Sequence, residues 1–196
     1  MLHPIRKILL CMLLIILGCT VHSYAQKPAK HSLSKFQIGT ELQWYPAGWI
    51  SGIVSNFFIS PKHIINVRAA FNIADRYNWS GLNDDERGTG YGGSIGYRYK
   101  LKAKKSSIFI GTRGDLFRTK INWRNKLNTP QETSGSTIII VYQPSLETGY
   151  WFLSKNKKWS FVAAGGIGQE VNIKTIGKAV GQGGMWLLSC SVYYNL

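Results

Sequence analysis

Cysteine is scarce in this chain. Of its three, Cys11 and Cys19 fall in the first twenty residues, which leaves Cys190 alone in the remainder. A single thiol excludes an intramolecular disulfide framework, so stability must come from packing and hydrogen bonding. Cys190 lies on the apolar face of the last segment and reads as a small buried hydrophobe, not a nucleophile. Carboxylates are also few, nine Asp and Glu against 24 Lys and Arg, for a formal net charge of +15. That basic excess comes without a recognisable nucleic-acid module, so no nucleic acid is expected as partner. The longest apolar run, residues 8–17, is about half the roughly 20 residues that a membrane-spanning helix needs. Also missing are a convincing 3.6-residue stripe, a Pro- or Ser-rich linker and a close internal repeat.

The apolar run has a meaning of its own. It follows Arg6 and Lys7 and leads into "VHSYAQ", where Ser23 and Ala25 suit the small-residue positions of a signal-peptidase site. Residues 1–25 are therefore expected to be an export signal, followed by an N-terminal extension at 26–35. "ILGC" offers a competing reading, in which Cys19 is lipidated and becomes the first residue.

From Phe36 onward the pattern is alternation. Eight segments show it: 36–45, 49–59, 64–74, 90–101, 108–119, 137–153, 159–173 and 185–196. The second is the weakest, because Ile53, Val54, Phe57 and Phe58 do not declare a face. Short connections ("SPKH", "KAKKSS", "SKNKK") alternate with long ones (75–89, 120–136, 174–184), and only the tight link at 46–48 breaks the rule. All short turns fall on the side of both termini, as in a barrel with periplasmic turns and longer outer loops.

One face of these segments collects Ile38, Leu42, Trp44, Ile65, Val67, Phe71, Tyr91, Ile95, Leu146, Tyr150, Ile167 and Ile173. The other collects glycine, small polar residues and charge. An eight-stranded barrel is barely wide enough for its own side chains, so the bulky set would crowd a soluble interior but fits comfortably against lipid. Aromatics near segment ends then form two girdles, Trp44, Trp49, Tyr91 and Trp186 on the loop side and Tyr99, Tyr150, Phe152, Trp159 and Tyr194 on the turn side. The expected fold is all-β, an eight-stranded antiparallel up-and-down transmembrane β-barrel over residues 36–196. A soluble, exported lipocalin-like barrel is the competing architecture. Closure requires the last strand to pair with the first.

An export signal, eight alternating segments and a last segment, "LLSCSVYYNL", with alternating apolar residues and terminal aromatics resemble the small outer-membrane β-barrels of OmpX and PorT-like type. The resemblance implies residence in the cell outer membrane, contact with outer-membrane lipid and lipopolysaccharide, and insertion by the barrel-assembly machinery. It implies no cofactor and fixes no activity. Leu196 stands where that family's assembly signal usually has Phe.

The inward set holds Glu41, Asp115, Glu147 and Glu170 against Arg68, Arg98, Lys100 and Arg113. Balanced charges in a narrow tube are expected to pair across it and plug it, since unpaired buried ions are costly; a narrow pore would need one sign to prevail or an open bore. Catalysis finds little to use. His3 and His22 belong to the export signal, His31 to the extension and His63 to a turn, so no histidine reaches the outer rim to activate a hydroxyl or water. "NDDERG" at 83–88 lacks the alternating oxygen ligands of a calcium loop, so no metal is expected. "GTGYGG" at 88–93 runs into a strand instead of a helix, so it is no dinucleotide site. "RTKINWRNK" at 118–126 alternates Arg118, Lys120, Arg124 and Lys126 with Ile121 and Trp123, a basic ribbon at the height of lipopolysaccharide phosphates. With Tyr77 and Trp79, Trp123 would be an exposed contact aromatic for lipopolysaccharide or a protein partner. The expected role is non-enzymatic, structural or interactive, through the loops at 75–89 and 120–136.

Overall fold

The computed structural model describes residues 35–76, 81–104 and 106–196. The expected export signal with its competing lipidation site at Cys19, the extension up to residue 34, His31, Tyr77 and Trp79 lie outside them. The described chain forms eight strands: β1 (Phe36–Tyr45), β2 (Gly48–Phe58), β3 (His63–Asp75), β4 (Asp85–Lys100), β5 (Ser107–Asn125), β6 (Thr133–Leu153), β7 (Trp159–Ile176) and β8 (Gly183–Asn195). Each pairs antiparallel with its sequence neighbours. β8 closes on β1 from Gln37 opposite Asn195 to Trp44 opposite Leu188, which completes the barrel. Closure leaves no unpaired edge, and that is the condition for placing strands in hydrocarbon. The β6–β7 ladder shows a register slip between Ile140 and Val141 and no paired partner for Gln143 or Pro144.

Strand length divides the barrel. β1 and β2, at 10 and 11 residues, match the 9–11 that a tilted strand needs to cross a bilayer. β5, β6 and β7 run to 19, 21 and 18 and must project beyond it on the loop side. The outer connections shrink accordingly, to residues 76–84, 126–132 and 177–182. The long loops expected from sequence are thus corrected at both ends. Above the membrane both faces of a strand can be polar, so the ladder continues after the hydrophobic alternation has disappeared.

The outer wall is apolar. Ile95, Leu146 and Ile167 are 64, 60 and 67% exposed, and Val67, Phe71, Leu116 and Tyr150 share that surface. Cys190 is also exposed on this wall, which corrects its expected burial; one face of β8 is apolar because it looks outward. On the loop side Trp44 packs edge-on against Trp186 at 4.7 Å and tilts toward Trp49 at 6.0 Å. At the turn side Trp159 packs edge-on against Tyr194 at 5.1 Å.

The interior departs from the expectation of glycine, small polar residues and charge. Along β5 the inward residues read Phe109, Arg113, Asp115, Phe117, Ile121, which is apolar, ionic, apolar from turn to loop. Around the tube, Val54, Ile64, Phe109, Trp151, Val162 and Tyr193 form a layer near the turns. Ile50, Phe117, Ile121, Ile139, Val141 and Leu187 form another near the loops. This explains why β2 declared no face: Ile50 and Val54 fill the lumen while Ile53 and Phe57 point outward. Gly92 makes room for such residues, since a Cβ there would stand 2.7 Å from Phe117 Cδ1 and closer still to the Leu116 carbonyl.

Candidate functional site in the barrel interior and outer mouth

Strand alternation delivers six ionic side chains to one level of the lumen. Glu41 comes from β1, Arg68 from β3, Arg98 from β4, Arg113 and Asp115 from β5, and Glu147 from β6. Arg68 Nη1 donates to Glu41 Oε1 at 2.5 Å and its Nη2 to Asp115 Oδ1 at 2.7 Å. Arg113 Nη1 donates to the same Glu41 oxygen at 2.9 Å and lies 3.7 Å from Glu147. Arg98 Nε donates to Glu147 Oε1 at 2.5 Å, and its Nη1 to the Tyr193 hydroxyl at 3.1 Å. Arg98 also lies 3.6 Å from Glu41. Ser191 donates to Glu41 Oε2 at 3.0 Å, and the Gln43 carbonyl accepts from both Arg68 and Arg113. Three guanidiniums thus face three carboxylates, all essentially without solvent exposure. Arginine suits this position, because its planar fork binds two acceptors at once and keeps its charge when buried.

Two of the eight residues expected in this network lie elsewhere. Lys100, at the turn end of β4, donates to the Lys104 carbonyl at 2.9 Å, with its Nζ 5.7 Å from the Trp151 ring centroid. Glu170 stands at the opposite end and pairs with Arg76. Period-two counting assigns a face but not a height, and height separates these residues.

Arg76 organises the outer mouth. Its guanidinium bonds Glu170 and the Gly181 carbonyl, the latter at 2.6 Å, and lies 3.4 Å from Glu86. Burial alone would loosen its proton, but Glu170, with Tyr45 and Glu86 adding to it, outweighs that and raises the Arg76 pKa further. Glu86 accepts from the Gly181 amide at 3.1 Å and from Asn83 Nδ2 at 2.7 Å. Asn83, Asn172 and Thr137 donate to the carbonyls of Ala179, Val180 and Lys178. The 177–182 connection is therefore drawn inward over the mouth, with Val180 buried in the apolar layer below. A cavity of about 70 Å³ remains beside it, lined by Tyr45, Ala47, Arg76, Glu170 and Met185 among others. Arg76 and Glu86 both fall within 75–89, the stretch expected to be an outer loop. Gly88, Gly90 and Gly92 carried the missing signal, since their inward period extended back two residues reaches Glu86. Replacing Glu86 with alanine is expected to release this connection. Loss of its hydrogen bonds, about 1–3 kcal/mol, should speed amide exchange at residues 177–182 about fivefold or more and leave the β1–β8 ladder protected.

Arg118, Lys120 and Arg124 share one face of β5, and Ile121 and Trp123 take the other. Arg118 and Lys120 point outward next to Tyr91 and Thr89, their ladder partners on β4, and have no ion-pair partner among the described residues. Arg124 bonds Asp85 at 2.5 Å, and Lys126 starts the turn with φ 53°. Trp123 is corrected from an exposed contact to a half-buried inward residue. Its Nε1 donates to Thr137 Oγ1 at 3.2 Å, and Lys178 Nζ lies 4.5 Å from its ring centroid. The inward position next to the 177–182 connection turns the indole away from the outer wall. His63 opens β3 on the turn side, its Nδ1 2.6 Å from the Tyr97 hydroxyl. No group of His, Cys, Asp and Glu among the described residues has the arrangement of a metal site.

No protein-family model matches the chain, and no curated protein matches it. Solved structures do. One is a major outer membrane protein from Thermus thermophilus, 12% identical, with 85% of this chain and 100% of that chain covered at a TM-score of 0.54. Neisserial surface protein A (NspA) is 15% identical, with coverage of 85% and 100% and a TM-score of 0.49. Ail, the attachment invasion locus protein of Yersinia pestis, is 12% identical, with coverage of 83% and 97% and a TM-score of 0.46. The closed sheet, its apolar outer wall and the first of these likenesses define the class: an eight-stranded antiparallel transmembrane β-barrel.

Proposed function

We propose that this chain is a non-enzymatic, integral outer-membrane barrel with a plugged interior, acting as a structural or interaction protein through its outer end. The observation that carries the reading is the filling of the tube, with a three-against-three ionic layer between two apolar ones. Such a filling supports a lumen without a continuous aqueous path, and its six ionic side chains pair with one another, while neighbouring polar atoms such as Gln43 Nε2 and Ser94 Oγ have no hydrogen-bond partner. In planar bilayers the folded protein should show no stepwise conductance. Steps altered by Arg98→Ala or Glu147→Ala would establish a pore and sink the plugged reading. The OmpX and PorT-like type, and insertion by the barrel-assembly machinery, are part of this proposal.

Lipopolysaccharide is the proposed contact at the outer end. Arg118 and Lys120 stand at and just above the loop-side girdle, and Lys120 borders a surface groove of about 380 Å³ with Ile73, Arg87, Thr89 and Asn122. Unpaired cations over an apolar wall match a phosphorylated headgroup carried on acyl chains. The double variant Arg118→Gln/Lys120→Gln is expected to lose tenfold or more in lipopolysaccharide retention, measured on folded protein in micelles, with its heat-dependent gel migration unchanged. Equal retention would remove this contact.

A further inference from the structure

Charge is distributed along the barrel axis in a way that pairing inside the tube does not explain. Of the nine Asp and Glu side chains, three face the ionic layer, Glu86 and Glu170 the mouth, and Asp75, Asp84, Asp85 and Glu132 the loop end. None lies at the turn end. There the three turns at 59–62, 101–106 and 154–158 hold seven lysines, with no arginine and no carboxylate. The loop end neutralises part of its charge, with Arg87 and Arg124 on Asp85 and Arg76 on Glu86 and Glu170, although Arg118 and Lys120 there keep no ion-pair partner among the described residues. At the turn end Lys62, Lys102, Lys104 and Lys158 have no ion-pair partner among the described residues.

We propose that this rim is a collar that gathers anionic phospholipid headgroups of the periplasmic leaflet. It rests on the membrane placement proposed above, with the short turns on the periplasmic side. Height is the first argument. Lys62 Nζ lies 5.8 Å from the Tyr99 ring centroid, and its neighbour His63 is bonded to Tyr97. Lys158 directly precedes Trp159, which packs on Tyr194. Lys62 and Lys158 thus stand beside the aromatics that sit at headgroup level. Reach is the second. Turns of four to six residues extend about 10 Å at most, near the Debye length of roughly 8–10 Å, so lipid phosphates are the first anions they meet. Side-chain type is the third. Lysine is a hydrated point charge on a flexible stem, suited to mobile, scattered phosphates, whereas a shaped carboxylate partner would favour the arginine fork. Lys102, Lys104, Lys155 and Lys158 are exposed on this rim.

The test uses the full chain folded into phosphatidylcholine vesicles that carry a minor fraction of spin-labelled phosphatidylglycerol or spin-labelled phosphatidylcholine. Heat-dependent gel migration first establishes that the protein has inserted. The immobilised fraction should favour phosphatidylglycerol about threefold or more, and the preference should fall in about 1 M salt, where screening shortens the reach of charge. It should fall by more than half when Lys62, Lys102, Lys104, Lys155, Lys157 and Lys158 are all changed to Gln, and fall much less in Arg118→Gln/Lys120→Gln. An unchanged preference in the glutamine variant, or one carried by the Arg118 and Lys120 pair, overturns the collar alone. Failure of the unaltered chain to insert overturns both the collar and the membrane placement. Soluble polyglutamate outcompeting phosphatidylglycerol on the micelle-bound barrel also overturns the lipid assignment and points to an acidic periplasmic protein.

Discussion

Replacing Glu41 with alanine is expected to lower the unfolding free energy of the bilayer-inserted barrel by about 3–5 kcal/mol, the cost of leaving buried charge uncompensated. Glu41 is the shared acceptor of the lumen: Arg68 and Arg113 both donate to it, and Arg98 lies 3.6 Å away. Without it three guanidiniums divide two carboxylates, Asp115 and Glu147, in a region that water does not reach. The Glu41→Gln variant keeps the shape and one acceptor, so its loss should be smaller. Changing Arg113 to alanine as well restores equal numbers of each sign, and the double variant should lose less than the sum of the two single ones. Urea unfolding in phospholipid vesicles, followed by tryptophan fluorescence, reads all four variants, Arg113→Ala alone included. Additive losses would show that the six groups do not act as one network.

The second large effect is expected on the opposite face of the sheet. Ile95 points outward between Ser94 and Gly96, whose ladder partners are Asp115 and Arg113, so it stands level with the ionic layer and near mid-bilayer. Arginine at such a position costs about 2–4 kcal/mol in a transmembrane barrel. On a water-exposed sheet the same change would fall within about 0.5 kcal/mol. Ile95→Arg therefore distinguishes a lipid-facing wall from a solvated one with a single substitution, read by the same unfolding experiment. A guanidinium is welcome at Arg98 and excluded three residues earlier because successive side chains alternate between a polar, partner-rich tube and hydrocarbon.

Much of this was legible before any coordinates. Ile65, Val67, Phe71 and Ile73 against Asn66, Arg68 and Asn72 declare the two faces of β3 without help, because only one side of a membrane strand may be polar. The same logic assigned Glu41, Arg68, Arg98, Arg113, Asp115 and Glu147 to the interior. Legibility failed wherever that constraint relaxes. Beyond the bilayer the strands carry polar residues on both faces, so Asp85 and Glu86 read as loop while belonging to β4. Inside the tube both apolar and ionic residues are allowed at different depths, so Phe109, Phe117 and Trp151 gave no warning of the apolar layers. Trp123 looked like a contact residue for the same reason, since an aromatic past the girdle can turn either way.

Strand number, alternation and the sign of each face were written in the chain, because hydrocarbon and a narrow lumen impose opposite demands on neighbouring residues. Depth along the axis and partnership across the tube emerged only on closure. Strand tilt and stagger set the height at which distant residues meet. That geometry joins Arg76 to Glu170 and Glu86 at the mouth, isolates Lys100 over Trp151, and gathers lysines from three separate turns onto one rim.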